Sequence, residues 1–594
     1  MRTLSRIIFA AAIAAIIITP VARAQRVSSD GSPQTFNFLV DKYFDDYFRT
    51  SPSAATYAGF HQYDSQLEDY SAAAAVKQTA MLRDYDRKFQ AIDPSALDAS
   101  VRADRDIVLN NIHTTLLTLE SIRPLERNPD SYSSSVTNSI YLLMSRNFAP
   151  ANSRLKSVVE REKLIPQVFV EARKNLKNPA KISVDIALEQ LPGLASFFQT
   201  DVPAAFADAT DPATKAAFAK SNAAVIAAFK SYEAWLRSDV LPHATGDFRI
   251  GADTFRKKLL YDEMVDTPLD RLIEIDTVNM RRNQAEFARV AKLVDPTKTP
   301  EQVLAQLALI HPDPDKLLSA FQDTFSSLIA FIRTNHIITI PSEVQPVLEE
   351  TPPFARATTF ASMDPPGPFE THSTKAYFNV TLPEKDWTPA HVAEHMASFN
   401  VGTIVSTSVH EAYPGHYVQF LWQNQFPSKV RKLLGANTNI EGWAHYCEQM
   451  MLDAGYAQPG SPSPSGQGPV SEREANLIRL GQLQDALLRN ARFIVGIKMH
   501  SGQMSTDEAI AFFVKEGYQS RSVGEVETKR GTADPTYLYY TLGKLEIMKL
   551  REDYKAKLGP AFTLQNFHDT LMRQGPVPIK VARKAMLGDD SPVL

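Results

Sequence analysis

The sequence predicts a mostly α-helical fold with one small β-sheet. Three observations carry this. Apolar residues recur at three- and four-residue spacing over long stretches, as in Ile165, Val168, Phe169, Ala172 and Leu176. Thr-Pro pairs at 267–268, 299–300 and 388–389 precede helical patterns, with threonine as cap and proline in the first turn. Only one stretch alternates clearly: in Ser373 to Leu382, Ala376, Phe378, Val380 and Leu382 interleave with Tyr377, Asn379 and Thr381.

Residues 1 to 24 read as an address. Arg2 and Arg6 precede an apolar run from Ile7 to Ile18, and Ala22-Arg23-Ala24 supplies an A-x-A cleavage site. The run is short for a bilayer span of about 20 residues. The reading is a cleaved secretory signal, export to the periplasm or medium, and no stable membrane anchor afterwards. No cysteine follows the site, so lipid attachment is not expected.

From Phe36 to Val240 the pattern is helical, including the alanine-rich stretch from Pro212 to Trp235. Pro341 to Pro368 carries seven prolines and reads as a long, irregular connection. The strand at 373–382 follows. Helix resumes from Thr388-Pro389 to about Gln425, and Gly455 to Pro469 is a flexible loop. The division is 25–340 helical, 341–372 proline-rich, and 373–594 metal-binding, within one continuous helical fold.

Of the 594 residues, 44% are hydrophobic and 22% charged, which excludes wholesale disorder and a bundle of membrane spans. The net charge of -4 offers no basic field for nucleic acid. Loss of Arg2, Arg6 and Arg23 would take it to -7. The single cysteine, Cys447, excludes internal disulfides and multi-cysteine metal sites, and reads as a small buried residue.

Five of the 13 histidines fall between 391 and 445, and His372 lies just outside. The central stretch is His410-Glu411-Ala412-Tyr413-Pro414-Gly415-His416. In H-E-x-x-H, histidines four apart share one helix face and reach one Zn²⁺, with the glutamate as base. Here the spacing is six. A regular helix turns about 600° over six residues, leaving His416 some 240° away from His410. Pro414-Gly415 supplies the remedy: a break, or a π-bulge, that loops out two residues and returns His416 to the metal side.

Zinc needs a third protein ligand and an open position for water. Glu441, 25 residues after His416, is the candidate, placed to lie on a second, antiparallel helix. Glu448 shares a face with it and could hold a ligating histidine by its second nitrogen, with His445 beside it. A rival motif, His391-Val392-Ala393-Glu394-His395, has the inverted zinc spacing. The preferred reading there is an amphipathic helix with two exposed histidines.

His-Glu-Ala-Tyr-Pro-Gly-His followed by Glu441-Gly442-Trp443-Ala444-His445-Tyr446-Cys447-Glu448 resembles the bacterial family called domain of unknown function 885. The resemblance covers mainly Tyr377 to Arg551. Its members are large, often exported, and regarded as metallopeptidases. More distantly the layout is similar to thimet oligopeptidase, angiotensin-converting enzyme and the Taq-type carboxypeptidases. The resemblance implies a zincin-like helical body with a deep substrate cleft, a zinc on two helices and a strand lining the substrate path. It puts the third ligand on Glu441. The departure is the two-residue insertion before His416.

The stretch from Arg530 to Lys544 also resembles the family, with Tyr539-Tyr540 where serine-tyrosine is usual. The resemblance makes Tyr540, and after it Tyr537, donors to a tetrahedral intermediate. Arg530 or Lys544 could hold a substrate carboxylate, or be plain surface charge.

The expected function is an exported zinc peptidase acting on a peptide or small amide. Glu411 is the general base, and Tyr377 and Asn379 lie beside a substrate paired with the strand. Two alternatives use the same residues: a zinc hydrolase of non-peptide amides or esters, and an inactive binding protein. No G-x-S-x-G, P-loop or dinucleotide fingerprint supports another class. Oligomeric state stays open.

Overall fold

The structure is a computed structural model that describes residues 33–352, 356, 359–385 and 387–594. The signal reading for 1–24 lies outside the described residues. The described chain is mostly helical with one three-stranded sheet, as the patterning predicts.

The apolar spacing is borne out where it is strongest. Ile165, Val168, Phe169 and Ala172 are buried along the helix Ala151–Asn175. They pack with Phe198, Phe229 and Tyr232 in a core built from residues 70 to 236. Glu162 is fully buried in the same helix, with Ser221 donating to one of its oxygens and nothing reaching the other. Thr299 and Thr388 cap their helices, Thr299 in a full capping box. Thr267 does not: the helix Leu269–Val294 takes Pro268 as its cap, one residue later than expected.

A larger core ties both ends of the chain together. Phe36 and Phe44 near the start share it with Phe325, Phe378, Tyr413, Trp443 and Ile547. The proline-rich connection is more ordered than expected. It holds two four-residue strands, β1 (Val347–Glu350) and β2 (Ala361–Asp364). The expected strand shrinks to β3 (Tyr377–Val380). Its order in the sheet is β1-β3-β2, parallel to β1 and antiparallel to β2. Pro346, Pro352 and Pro365 bracket the short strands rather than interrupt them, so the ladder loses no donor.

Six helices build the site: α1 (Val401–Glu411), α2 (His416–Asn424), α3 (Asn437–Asp453), α4 (Glu472–His500), α5 (Arg521–Ala533) and α6 (Tyr539–Leu558). Asn400 caps α1 by accepting from the amides of Gly402 and Thr403. The first amides of α3 are met from a distance: Asn437 and Thr438 donate to the buried Glu263 carboxyl at 3.1 and 2.8 Å. Helices α3 and α6 cross at a glycine pair. A Cβ on Gly442 would lie 2.6 Å from Gly543 Cα, and one on Gly543 would overlap the Thr438 carbonyl. This close crossing brings Glu441 and Tyr540 to the same place. The sheet joins the site through the helix Leu317–Thr334, where Phe325 touches Phe378 of β3 and Tyr413 of the turn after α1.

Burial pushes the Glu162 carboxyl up to about 8, with Ser221 opposing. The folded protein therefore holds a proton that the unfolded chain releases near 4.5. The associated stability is present below that pH and is lost as pH rises through 8. We expect the wild-type melting temperature to fall between pH 5 and 8 by a few degrees more than that of Glu162→Gln. Parallel pH profiles for the two proteins would contradict this.

Candidate metal centre

Helix α1 stops where the Pro-Gly pair predicts. The Ala412 amide still bonds four residues back to Ser408, at 3.0 Å. The Tyr413 amide reaches five back to Ser408, at 3.2 Å, and the Gly415 amide six back to Val409, at 3.0 Å. The Tyr413–Pro414 bond is cis, and α2 begins at His416. The chain thus folds onto the end of its own helix. A side chain at 415 would overlap the His410 carbonyl oxygen, so only glycine fits. The Trp443 indole of α3 donates to the Pro414 carbonyl at 3.0 Å and pins the turn. The tryptophan of the Glu441-Gly442-Trp443-Ala444 stretch thus has a structural task that its place in the motif does not reveal.

The break returns His416 to the side of His410. Their rings meet nearly perpendicular, with centroids 4.8 Å apart. Nε2 of His410 lies 3.4 Å, and Nε2 of His416 3.3 Å, from one oxygen of Glu441. That oxygen is buried and accepts no hydrogen bond. Among the described residues this is the one group of His, Cys, Asp or Glu side chains placed to hold a metal ion. Ligands about 2.0–2.1 Å from a tetrahedral ion stand about 3.3–3.4 Å apart. Three convergent donor atoms at that spacing, one of them an otherwise unpartnered buried carboxylate oxygen, fit a divalent cation.

The surroundings are arranged for positive charge. Glu448 is fully buried, accepts from His410 Nδ1 at 2.7 Å and His445 Nδ1 at 3.0 Å, and forms an ion pair with Arg489 at 3.2 Å. A carboxylate can only accept, so His410 carries its proton on Nδ1 and aims its other nitrogen at Glu441. Burial disfavours charge on His410, but the neighbouring carboxylates of Glu441 and Glu448 outweigh it and raise the imidazole to about 9. Burial also opposes ionisation of Glu441, yet His416 and His410 hold its carboxyl well below the usual range. Glu448 is likewise held low against burial, chiefly by Arg489. His445 behaves oppositely. Burial, with Lys544 nearby, pushes it down to about 3, so it donates to Glu448 as a neutral ring. Arg489, on α4, was not foreseen; nothing in a 29-residue helix marks which arginine turns inward.

Glu411 ends α1 beside His410 and is 8% exposed. Tyr540 faces the same centre: its ring stacks at 6.3 Å on that of His410. Arg530 donates to its hydroxyl oxygen at 3.1 Å. Burial, then the Glu441 charge, keep the phenol protonated by raising its pKa. The guanidinium groups of Arg489, Arg492 and Arg530 lie 5.4, 5.1 and 5.8 Å from the Tyr540 ring centre.

Several expected site residues sit elsewhere. Tyr537 is fully buried against Gly496 and Gly531, three residues before Tyr540 and in the same core cluster, and of the two tyrosines it is Tyr540 whose ring meets His410. Lys544 is 1% exposed, and burial pushes it down to about 8; it lies behind His445 and Glu448, where no substrate carboxylate reaches it. β3 is the central strand and already pairs on both edges, so it cannot take up a peptide as expected. Asn379 is 4% exposed within it. Tyr377 lies under the Arg146 guanidinium at 5.2 Å, at the anchored end of the sheet. The free edge nearer the centre is β2, which packs on α1. The rival histidines do not converge. His395 is buried rather than exposed and binds the Thr381 carbonyl at 2.9 Å, while the exposed His391 stacks on Trp387.

Residues 52–586 match the family described as bacterial protein of unknown function (DUF885), and the chain belongs to that family. Two solved structures are similar over nearly their whole length. One is described as "a putative lipoprotein of unknown function from Shewanella oneidensis", 26% identical over 93% of this chain and 99% of that one, with a TM-score of 0.76. The other, "the putative lipoprotein from Colwellia psychrerythraea", is 18% identical over 93% and 98%, with a TM-score of 0.72. No curated protein matches the chain.

The turn's fit makes a direct prediction. Gly415→Ala should lower stability by roughly 2 kcal/mol or more, because the added methyl meets backbone that cannot swing aside. Thermal unfolding checks it, and an unchanged melting temperature would contradict it.

Proposed function

We propose that this protein is an exported, zinc-dependent peptidase of zincin-like design. The observation that carries the reading is the approach of two imidazole Nε2 atoms, at 3.4 and 3.3 Å, to one Glu441 oxygen, with Glu411 following His410 at the end of α1. His410, His416 and Glu441 would hold the ion. Histidine and carboxylate ligands without cysteine are the mix of catalytic zinc sites. Bound zinc would supply a Lewis acid and a water of lowered pKa, both of which hydrolysis of an amide needs.

The chain's own residues account for the remaining chemistry. Glu411 takes a proton from the attacking water at its carboxylate and returns it to the leaving amine. Arg530 donates to the Tyr540 oxygen, so the phenolic proton is left free to donate to the developing oxyanion. Glu448 fixes the tautomer and orientation of His410. Carboxylates on both nitrogens of His410 also favour a cation at the centre.

Export rests on the signal-like N-terminus and on the similar structures described as lipoproteins. No helix among the described residues is long and apolar enough to cross a membrane. Lipid attachment does not carry over, since the single cysteine, Cys447, is buried within α3.

The test separates metal from turnover. Purified protein should bind one zinc per chain, and His410→Ala and Glu441→Ala should lose it. Glu411→Gln should keep the zinc while turnover of a peptide panel falls roughly 10²–10⁴-fold. Wild-type protein without stoichiometric metal, or full activity in Glu411→Gln, would refute the proposal.

A further inference from the structure

We propose that Arg530 binds the free terminal carboxylate of the substrate, making the enzyme an exopeptidase that works from the C-terminal end. The inference rests on the peptidase reading above and sharpens it.

Three arginines surround the Tyr540 ring, and their partners differ. Arg489 meets Glu448 at 3.2 Å. Arg492 makes a two-pronged pair with Glu527, at 2.6 and 2.7 Å, that occupies both carboxylate oxygens. Arg530 has no such partner. Its nearest carboxylate oxygen, on Asp534, is 3.9 Å away and already accepts from the Tyr539 hydroxyl at 2.9 Å. The Arg530 side chain is also the open one, 36% exposed against 12% for Arg489 and 9% for Arg492. A guanidinium has five N–H donors, and Tyr540 accepts from one nitrogen. A planar fork of donors therefore remains, the geometry that suits a carboxylate.

Distance limits how far from the scissile bond the carboxylate lies. The Arg530 guanidinium lies 5.8 Å from the Tyr540 ring centre, which lies 6.3 Å from the His410 ring. The two ends are therefore within about 12 Å. An extended chain advances roughly 3.5 Å per residue. After the contacts at each end, the span holds at most about two residues between the scissile carbonyl and the carboxylate. A side-chain carboxylate at the same place would also be held, but it would not require a chain end.

The test compares peptides ending in a free carboxylate with the same peptides ending in an amide, on zinc-loaded protein. The free acids should be preferred in kcat/KM by roughly 10- to 100-fold, the worth of a charge-assisted contact. In Arg530→Gln that ratio should collapse towards one, while Arg530→Lys restores part of it, mainly through KM. Equal rates on acid and amide, or a preference that survives in Arg530→Gln, would overturn the proposal and leave the peptidase reading intact. A second measurement is independent of turnover: calorimetric binding of an N-acyl amino acid and its amide to the folded protein. The acid should bind at least tenfold tighter, and Arg530→Gln should abolish the difference. Arg530-dependent binding without hydrolysis of any peptide would remove the peptidase reading and keep the carboxylate site. No binding of the acid would remove the site.

Discussion

The structure depends on a helix that ends at the right residue. His416 lies six positions after His410, and an unbroken helix would set them on different faces. The backbone resolves this by closing α1 with bonds reaching four, then five, then six residues back. Gly415 lies so close to the His410 carbonyl that it can carry no side chain. Everything else at the centre positions groups around that fold. Trp443 holds the Pro414 carbonyl, and the same helix α3 delivers Glu441 two residues earlier and Glu448 five residues later. The Gly442–Gly543 crossing then sets α6, and with it Tyr540, against the ligand helix.

Electrostatics gives this geometry its purpose. A buried carboxylate is costly unless its charge is met. Glu448 is met by two imidazole N–H groups and Arg489. The buried oxygen of Glu441 is met only by two Nε2 atoms, at distances suited to sharing an ion. Outside this ring lies a second layer of guanidinium groups around Tyr540, in which only Arg530 is both half-buried rather than buried and loosely paired. The centre therefore passes, over a short distance, from a place for a cation to a place for an anion.

Much of this was legible in the sequence, for identifiable reasons. The His-Glu pair, the Pro-Gly break and Glu441 were readable because a metal's demands on spacing are strict and helix geometry is regular. The helical texture was readable from spacing alone. The sheet was not. Its two outer strands are four residues each and lie among prolines, so their pairing is set by β3 and by the helix Leu317–Thr334 rather than by any local pattern. Tyr540 ranks above Tyr537 by resemblance rather than by any local pattern, because the turn between Ala533 and Tyr539 decides which ring faces His410. Lys544 misled for the opposite reason. Lysine is rarely buried, and only tertiary packing puts it behind His445. Arg489 and Glu263 act across long sequence separations that a single sequence does not display.

The most direct test of the account is anomalous X-ray scattering at the zinc absorption edge, from crystals of protein loaded with one equivalent of zinc. The account predicts one strong peak, about 2.0–2.2 Å from His410 Nε2, His416 Nε2 and a Glu441 oxygen. A peak at His391 and His395, or no peak at the end of α1, would contradict it.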